Sequence, residues 1–340
     1  MKQRSLVIAH RGASGYRPEH TAAAFELAIA LGADAVEPDL VVTADGVLVI
    51  RHENEISGTT DVASRTEFAG LRTTKVVDGI IVTGWFTEDF TWEQLSTLRA
   101  TERIPQLRPK NSSYVDSGIL RFVDLLRLLD RADRRVDLVA ELKHATYFRS
   151  LGFSLDELFT AELAEFGWRA DPRLTVESFE ETVLGSLRDR GIRAPLVFLV
   201  EDEGAPADQV AAKGADAMPY SAYLETAELA ALAERVDGIS LSKRLLLDPE
   251  EISDVKAGTD LVDRAHAAGL TVFCWTLRAE NEFLPPKLRQ GSGPQDLGDW
   301  LTEFQLLLRT GVDGVFADQP DLAVRARAAL AHSDGVGGPV

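Results

Sequence analysis

Short apolar runs alternate with longer segments of helical period along most of the chain. The apolar runs end near His10, Asp39, Leu142, Ser178, Val200, Leu241, Trp275 and Ala317, and each has the look of a buried strand. Helical periodicity fills the gaps at 21–31, 119–132, 155–166, 179–190, 224–235, 260–268 and 297–309, with an eighth such segment at 321–331. Local signals agree with these bounds. Gly32, Gly167, Gly191, Gly269 and Gly311 follow helical runs, and Ser154 with Glu157 has the form of a capping box. Strands separated by helices imply crossovers, so a parallel sheet is expected. The 47–51 segment differs, because the Asp45-Gly46 turn before it is a hairpin signal and predicts an antiparallel partner. Eight strand–helix units suit a closed barrel, and an open doubly wound sheet has the same pattern.

Residues 54–118 break the alternation. They hold Gly, Thr, Trp and Phe in no consistent period, a second capping-box form at Thr91 and Gln94, and an exit marked by Pro105 and Pro109. A stretch of this length without period is expected to be an insertion subdomain over the mouth formed by the strand ends. The remainder divides into 1–53 and 119–331 as one catalytic unit and an aperiodic tail, 332–340, expected to be disordered.

Composition refines this picture only at the margins. With 45% apolar and 26% charged residues, the chain can bury a sizeable core. A formal charge of −18 argues against nucleic acid and anionic membranes as partners, since both need basic patches. Cys274 is the single cysteine, so no intrachain disulfide can form, and its apolar surroundings predict an inert buried thiol. The apolar stretch at 6–9 is too short for a signal segment, and no run has membrane-spanning length. A cytoplasmic protein without stable membrane association is expected, secreted or periplasmic if a leader was removed. Oligomeric state is not legible from these features.

Candidate chemistry concentrates between His10 and His52. An apolar strand ends in His10-Arg11-Gly12, and the next is interrupted by Glu37 and Asp39, whose i, i+2 spacing puts both carboxylates on one face. Flanked by Val36, Pro38 and Leu40, unpaired charges there would be expensive, and a metal cation would offset that cost. The hairpin after Asp45-Gly46 then returns His52 to the same end. The competing interpretation is a structural ion-pair network, with each histidine a satisfied imidazole.

His10-Arg11-Gly12, Pro18-Glu19, Glu37-x-Asp39, Thr43-x-Asp45-Gly46 and His52 together resemble the glycerophosphodiester phosphodiesterase family. Two positions depart from its pattern: His20 stands where the family usually has Asn, and Glu53 where it usually has Asp. Thr83-Gly84-Trp85-Phe86 and Glu88-Asp89-Phe90 resemble the longer bacterial members, which carry an insertion after the second histidine. The resemblance implies an α/β fold, a (β/α)8 TIM barrel with its site at the C-terminal strand ends. It implies Glu141 as a third acidic metal ligand beside Glu37 and Asp39, Lys143 facing the phosphate with Arg11, and Phe179 and Trp275 as walls for a glycerol moiety. Glu19 matches the motif as an orienting group or a helix N-terminal charge.

An all-oxygen ligand set suits Ca2+ or Mg2+. The implied reaction is hydrolysis of a small glycerophosphodiester to sn-glycerol 3-phosphate and an alcohol. Protons must be handled on both sides of the phosphorus, which assigns His10 and His52 as general acid and base in an order left open. Rival readings are a lysophospholipase D-like enzyme and a non-catalytic, metal-dependent phosphodiester-binding protein. His20, His144, His266 and His332 are expected to be satisfied core or surface imidazoles, and Asp318 a turn or capping residue.

Overall fold

The structure, a computed structural model, describes residues 4–114, 117–250, 252 and 255–335. Twelve strands occur among these residues: β1 (Leu6–His10), β2 (Ala35–Glu37), β3 (Asp39–Val42), β4 (Leu48–Ile50), β5 (Thr73–Val77), β6 (Ile80–Gly84), β7 (Asp137–Leu142), β8 (Leu174–Ser178), β9 (Leu196–Val200), β10 (Gly238–Ser242), β11 (Thr271–Leu277) and β12 (Gly314–Ala317). The order β2-β1-β12-β11-β10-β9-β8-β7 is parallel throughout, and β7 pairs back onto β2 and β3, which closes an eight-stranded barrel. The closed (β/α)8 architecture is therefore the one formed, and the open sheet is excluded.

β2 and β3 are one barrel strand interrupted at Pro38, whose missing N–H cannot join the ladder; its carbonyl still accepts from Glu141 N–H at 3.0 Å. β4 pairs antiparallel with β3, as the Asp-Gly turn predicts. Period-2 alternation sorts the strand residues into two cores. Val7, Ala9, Leu138, Ala140, Val272 and Cys274 point outward against the helices. Ile8, Ala35, Val139, Val197, Phe273 and Phe316 point inward and fill the lower barrel. This layer is tight: a Cβ on Gly314 would meet the Phe273 ring at 2.9 Å. Cys274 is buried, and burial raises its thiol pKa well above the usual range, which keeps it protonated.

Helix bounds follow the periodicity to within a few residues, with informative differences. Thr21 caps Ala22–Ala30 by accepting from Ala24 N–H at 3.2 Å. At Thr91 and Gln94 the capping box forms, whereas Ser154 makes no side-chain cap to Leu155–Glu165, and Arg190 engages Glu157 instead. The final helix, Pro320–Gly335, runs into the segment expected to be a loose tail, and 336–340 lie outside the described residues.

Within 54–118, β5 and β6 make a hairpin that the period analysis does not anticipate, although Asp78-Gly79 between Val77 and Ile80 is a strong turn signal. Ile56, Val62, Phe68, Trp85, Phe90, Leu95 and Leu98 of the same stretch join the apolar cluster that covers the barrel.

Candidate active site

The inward positions two residues beyond the lower layer are mostly titratable. Continuing along the same strands from Ile8, Ala35, Val139, Phe273 and Phe316, they are His10, Glu37, Glu141, Trp275 and Asp318. Register places His10 beside Glu37, Asp39 beside Glu141, and Glu141 beside Glu177. After His10 the chain turns sharply through Arg11 and Gly12, both at positive φ; a Cβ on Gly12 would lie 2.7 Å from the Ala24 carbonyl carbon. The turn lets Arg11 fold back over the rim, its N–H donating to Glu37 Oε2 at 2.8 Å.

A cavity of about 1270 Å³ opens on this rim. His10, Arg11, Glu37, His52, Glu141, Lys143, Phe179 and Trp275 all line it. Asp39 lies behind its wall, within 3.3 Å of Arg11 Nε and 3.1 Å of His20 Nε2. Glu19 faces a separate cavity of about 170 Å³ on the insertion side. There it accepts from Arg11 at 3.1 Å and from Arg103 at 2.6 and 2.8 Å, so it acts as an anchor for two guanidinium groups.

Four carboxylates share the buried rim. Glu37 Oε1, Asp39 Oδ2, Glu141 Oε1 and Glu177 Oε2 have no hydrogen-bond partner among the described residues. Lys143 Nζ forms an ion pair with Glu141 Oε1 at 2.8 Å. Oxygens of Glu37, Glu141 and Glu177 lie within 4.8 Å of one another, as do ligand atoms of His20, Glu37 and Asp39. Burial, then the neighbouring carboxylates, push Glu37 and Glu177 well above the usual carboxylate range. Burial likewise lifts Glu141 to about 8, against the pull of Lys143. Burial opposes ionisation of Asp39 too, but His52, Arg11 and Lys143 hold it well below its usual value. Buried oxygens lacking donors, in a crowd of mutually repelling acids, fit a divalent cation of oxygen preference.

The two histidines are mounted alike. Asp318, kept ionised by Arg278 and Arg108 against burial, accepts from His10 Nδ1 at 2.7 Å. Glu53 accepts from His52 Nδ1 at 2.6 Å. An ionised carboxylate only accepts, so both rings carry the proton on Nδ1 and present the Nε2 lone pair. At His52 that lone pair receives Lys143 Nζ at 3.3 Å. Burial, then Arg11, lowers His10 to about 4; burial, Arg11 and Lys143 lower His52 to about 3. Phe179 and Trp275 meet edge to face at 5.9 Å, with Lys143 Nζ 5.1 Å from the Phe179 ring.

Several groups escape sequence reasoning. Asp318 lies in the bend between β12 and the final helix, as expected of a turn residue, but its side chain is also the acceptor for His10 Nδ1. Glu177, next to last in β8, has the same inward parity as Glu141, a signal available in the strand pattern. His20 is buried against Asp39 within the carboxylate group, and it is not the satisfied imidazole expected: Nε2 accepts from Asp39 N–H at 3.3 Å, but Nδ1 has no hydrogen-bond partner among the described residues. The other three histidines have partners away from the rim carboxylates: His144 with Asp78 at 2.5 Å, His266 with Asp313 at 2.9 Å and His332 with the Ala328 carbonyl at 2.7 Å.

Fold and rim together define a (β/α)8 barrel enzyme. The chain belongs to the glycerophosphoryl diester phosphodiesterase family, whose sequence model matches residues 10–322. It is 31% identical over 327 residues to a glycerophosphodiester phosphodiesterase of Arabidopsis thaliana, covering 92% of this chain and 82% of that protein. A glycerophosphodiester phosphodiesterase of Haemophilus influenzae is 25% identical over 346 residues, covering 95% and 90% respectively. Among solved structures, a putative glycerophosphoryl diester phosphodiesterase from Silicibacter pomeroyi superposes with a TM-score of 0.67 at 21% identity, over 97% of this chain and 95% of that one. An Oleispira antarctica phosphodiesterase in complex with the product sn-glycerol-3-phosphate superposes with a TM-score of 0.60 at 21% identity, over 95% and 96%. No helix among the described residues is long and apolar enough to cross a membrane.

Proposed function

We propose that the protein hydrolyses glycerophosphodiesters to sn-glycerol 3-phosphate and an alcohol, with divalent-metal dependence and with His10 and His52 as the general acid and base. The observation that carries this reading is the pair of Nδ1-anchored imidazoles on one cavity whose floor holds carboxylate oxygens lacking donors. Family membership supports the substrate class, and the product named in the Oleispira complex supports the same product here.

Glu37, Asp39 and Glu141 are the proposed metal-holding residues; Glu37 groups with Glu141 and Glu177 on one side and with Asp39 and His20 on the other, so Glu37 is common to both sets. Ca2+ or Mg2+ bound there supplies charge neutralisation and orientation for the phosphodiester. Arg11 and Lys143 bind the phosphate oxygens and take up charge that develops on them. One imidazole accepts a proton at Nε2 from the attacking oxygen, and the other, which must first take up a proton at Nε2 from solvent, delivers it to the leaving alkoxide. Phe179 and Trp275 form an apolar corner against which the glycerol carbon chain rests.

The test is release of glycerol 3-phosphate from glycerophosphocholine. It is expected to stop with chelator, to return with Ca2+ or Mg2+, and to be lost in His10→Ala and His52→Ala. Full turnover after chelation or in either variant overturns the assignment.

A second reading, a diester that also carries an acyl chain, is favoured by the volume of the cavity and by its rim. Cavities for drug-sized ligands run to about 1,000 Å³. Ile80, Val210, Leu247 and Pro286 line the wall here, and Ile80 and Ile81 on the β5–β6 hairpin are 67% and 74% exposed. Side-by-side turnover of glycerophosphocholine and a lysophospholipid separates the two readings.

A further inference from the structure

We propose that Arg103 and Arg108, both from the 54–118 insertion, are positioning residues for the histidine pair, each acting through one carboxylate. The proposal rests on the proton-transfer roles given above to His10 and His52. The chains are Arg103–Glu53–His52, with both Glu53 oxygens bound, and Arg108–Asp318–His10, with one Asp318 oxygen bound; they use unrelated parts of the barrel.

In the first chain, Arg103 Nη1 donates to Glu53 Oε1 at 2.8 Å and Nη2 to Glu53 Oε2 at 2.6 Å. The other edge of the same guanidinium is clamped by Glu19, at 2.8 Å from Nε and 2.6 Å from Nη2. In the second, Arg108 Nη2 donates to Asp318 Oδ2 at 2.7 Å, Nε to Glu280 Oε1 at 2.6 Å, and Nη1 to the Ser14 carbonyl at 3.2 Å. Arg278 Nε adds a contact to Asp318 Oδ2 at 2.8 Å, so the second chain has an additional barrel donor.

A carboxylate that holds an imidazole must itself be held. Glu53 neighbours His52 in sequence and has three side-chain torsions, one more than an Asp at the same place. Left alone it would rotate and release the ring. A guanidinium fork binding both oxygens fixes the carboxylate plane, which a single-point ammonium cannot do. The histidine then stays in the Nδ1–H tautomer with Nε2 on the cavity.

The arginines sit on one compact turn. Arg108 N–H donates to the Ile104 carbonyl at 3.0 Å, and Asn111 Nδ2 donates to Glu102 Oε2 at 2.8 Å and to the Ser14 carbonyl at 3.3 Å. His10, Glu19, Arg103, Arg108 and Asp318 line the small cavity beneath this turn. A single segment of the insertion thus reaches both proton-transfer groups, and without it neither carboxylate keeps its full set of donors.

The test uses the full chain carrying Arg103→Met, Arg108→Met or the corresponding Lys substitutions, with melting curves to confirm folding. Imidazole nitrogen NMR is read first, with resonances assigned from His10→Gln and His52→Gln. Arg103→Met is expected to shift the His52 signals and leave those of His10, and Arg108→Met the reverse. In turnover of glycerophosphocholine, each Met variant is expected to lose about 10- to 100-fold in kcat with KM little changed. Lys at either position is expected to restore only part of kcat: at 103 it cannot bind both Glu53 oxygens in a fork, and at 108 it cannot span Asp318, Glu280 and the Ser14 carbonyl at once. Should Arg108→Met fail to fold, Arg108→Lys carries the same NMR comparison. The proposal is overturned if both histidines shift together in each variant, if neither shifts, or if the loss falls on KM alone. Because the NMR arm needs no turnover, it judges the positioning even if the activity of His10→Ala and His52→Ala removes the proton-transfer reading.

Discussion

The two layers of the barrel interior are made from the same strands and differ by one step of the pleat. In the lower layer Ile8, Ala35, Val139, Phe273 and Phe316 are packed with no polar atom to satisfy. One step up, His10, Glu37, Glu141, Trp275 and Asp318 occupy the same face, and around them lie carboxylate oxygens with no donor. The lower layer holds the strands in register through burial of apolar surface. The upper layer uses that rigidity to keep charges together that would otherwise repel. On the proposed function, stability and chemistry are thus separated along the barrel axis.

The largest effect expected is in the upper layer, on rate. His10→Ala and His52→Ala are each expected to lower kcat by about 10²- to 10⁴-fold while the melting temperature stays near that of the parent. Steady-state turnover paired with a thermal melt checks this; a variant that loses both together breaks the separation. Next comes the lower layer, on stability. Phe273→Ala opens a cavity against Phe316, 6.1 Å away between ring centroids, and is expected to cost about 3–5 kcal/mol. Turnover per folded molecule should change little, as judged by urea unfolding alongside activity at low denaturant.

How much of this was legible in the sequence differs between the same two regions. The eight strands follow from alternation, because apolar runs and helical periods are local properties, whereas their closure into a barrel was implied only by the family resemblance. His10 was legible at the end of a plain apolar strand, and Glu141 was singled out by the family resemblance. The role of Asp318 was not legible, since it depends on a histidine 308 residues away. Arg103 and Arg108 lie in a segment without period, and nothing near them in sequence announces the carboxylates they hold. The β5–β6 hairpin is a different case: its Asp78-Gly79 signal was present, and the missing period across the whole insertion concealed it.

A third effect concerns the metal-free protein and pH. Burial raises Glu141 to about 8, and raises Glu37 and Glu177 in the same direction. The folded state therefore holds protons that the unfolded chain releases above its ordinary carboxylate pKa of about 4.3. Stability from these groups is fully present below that value and is lost as pH rises through about 8. The slope approaches about 1.4 kcal/mol per pH unit for each such group. Chelated protein should melt lower at pH 8 than at pH 5, Glu141→Gln should flatten the profile, and Ca2+ or Mg2+ should remove it. A flat profile in the chelated parent would mean that the upper layer is not charge-frustrated.

The smallest effect on stability should come from the rim beyond the upper layer, and there the comparison is sharpest. Ile80 and Ile81 are as apolar as Ile8, but they stand exposed at the tip of a two-stranded hairpin, where Ile81 faces Val76 across the strands. Little apolar area is buried by either, so Ile80→Ser with Ile81→Ser should change unfolding free energy by no more than about 0.5 kcal/mol. Function can still move. If the hairpin guides an acyl chain toward His10 and His52, the double variant should lose turnover of a lysophospholipid while keeping that of glycerophosphocholine. Equal retention of both substrates would remove the acyl-chain reading, and a large loss of stability would show that the hairpin contributes to the fold in the way the lower layer does.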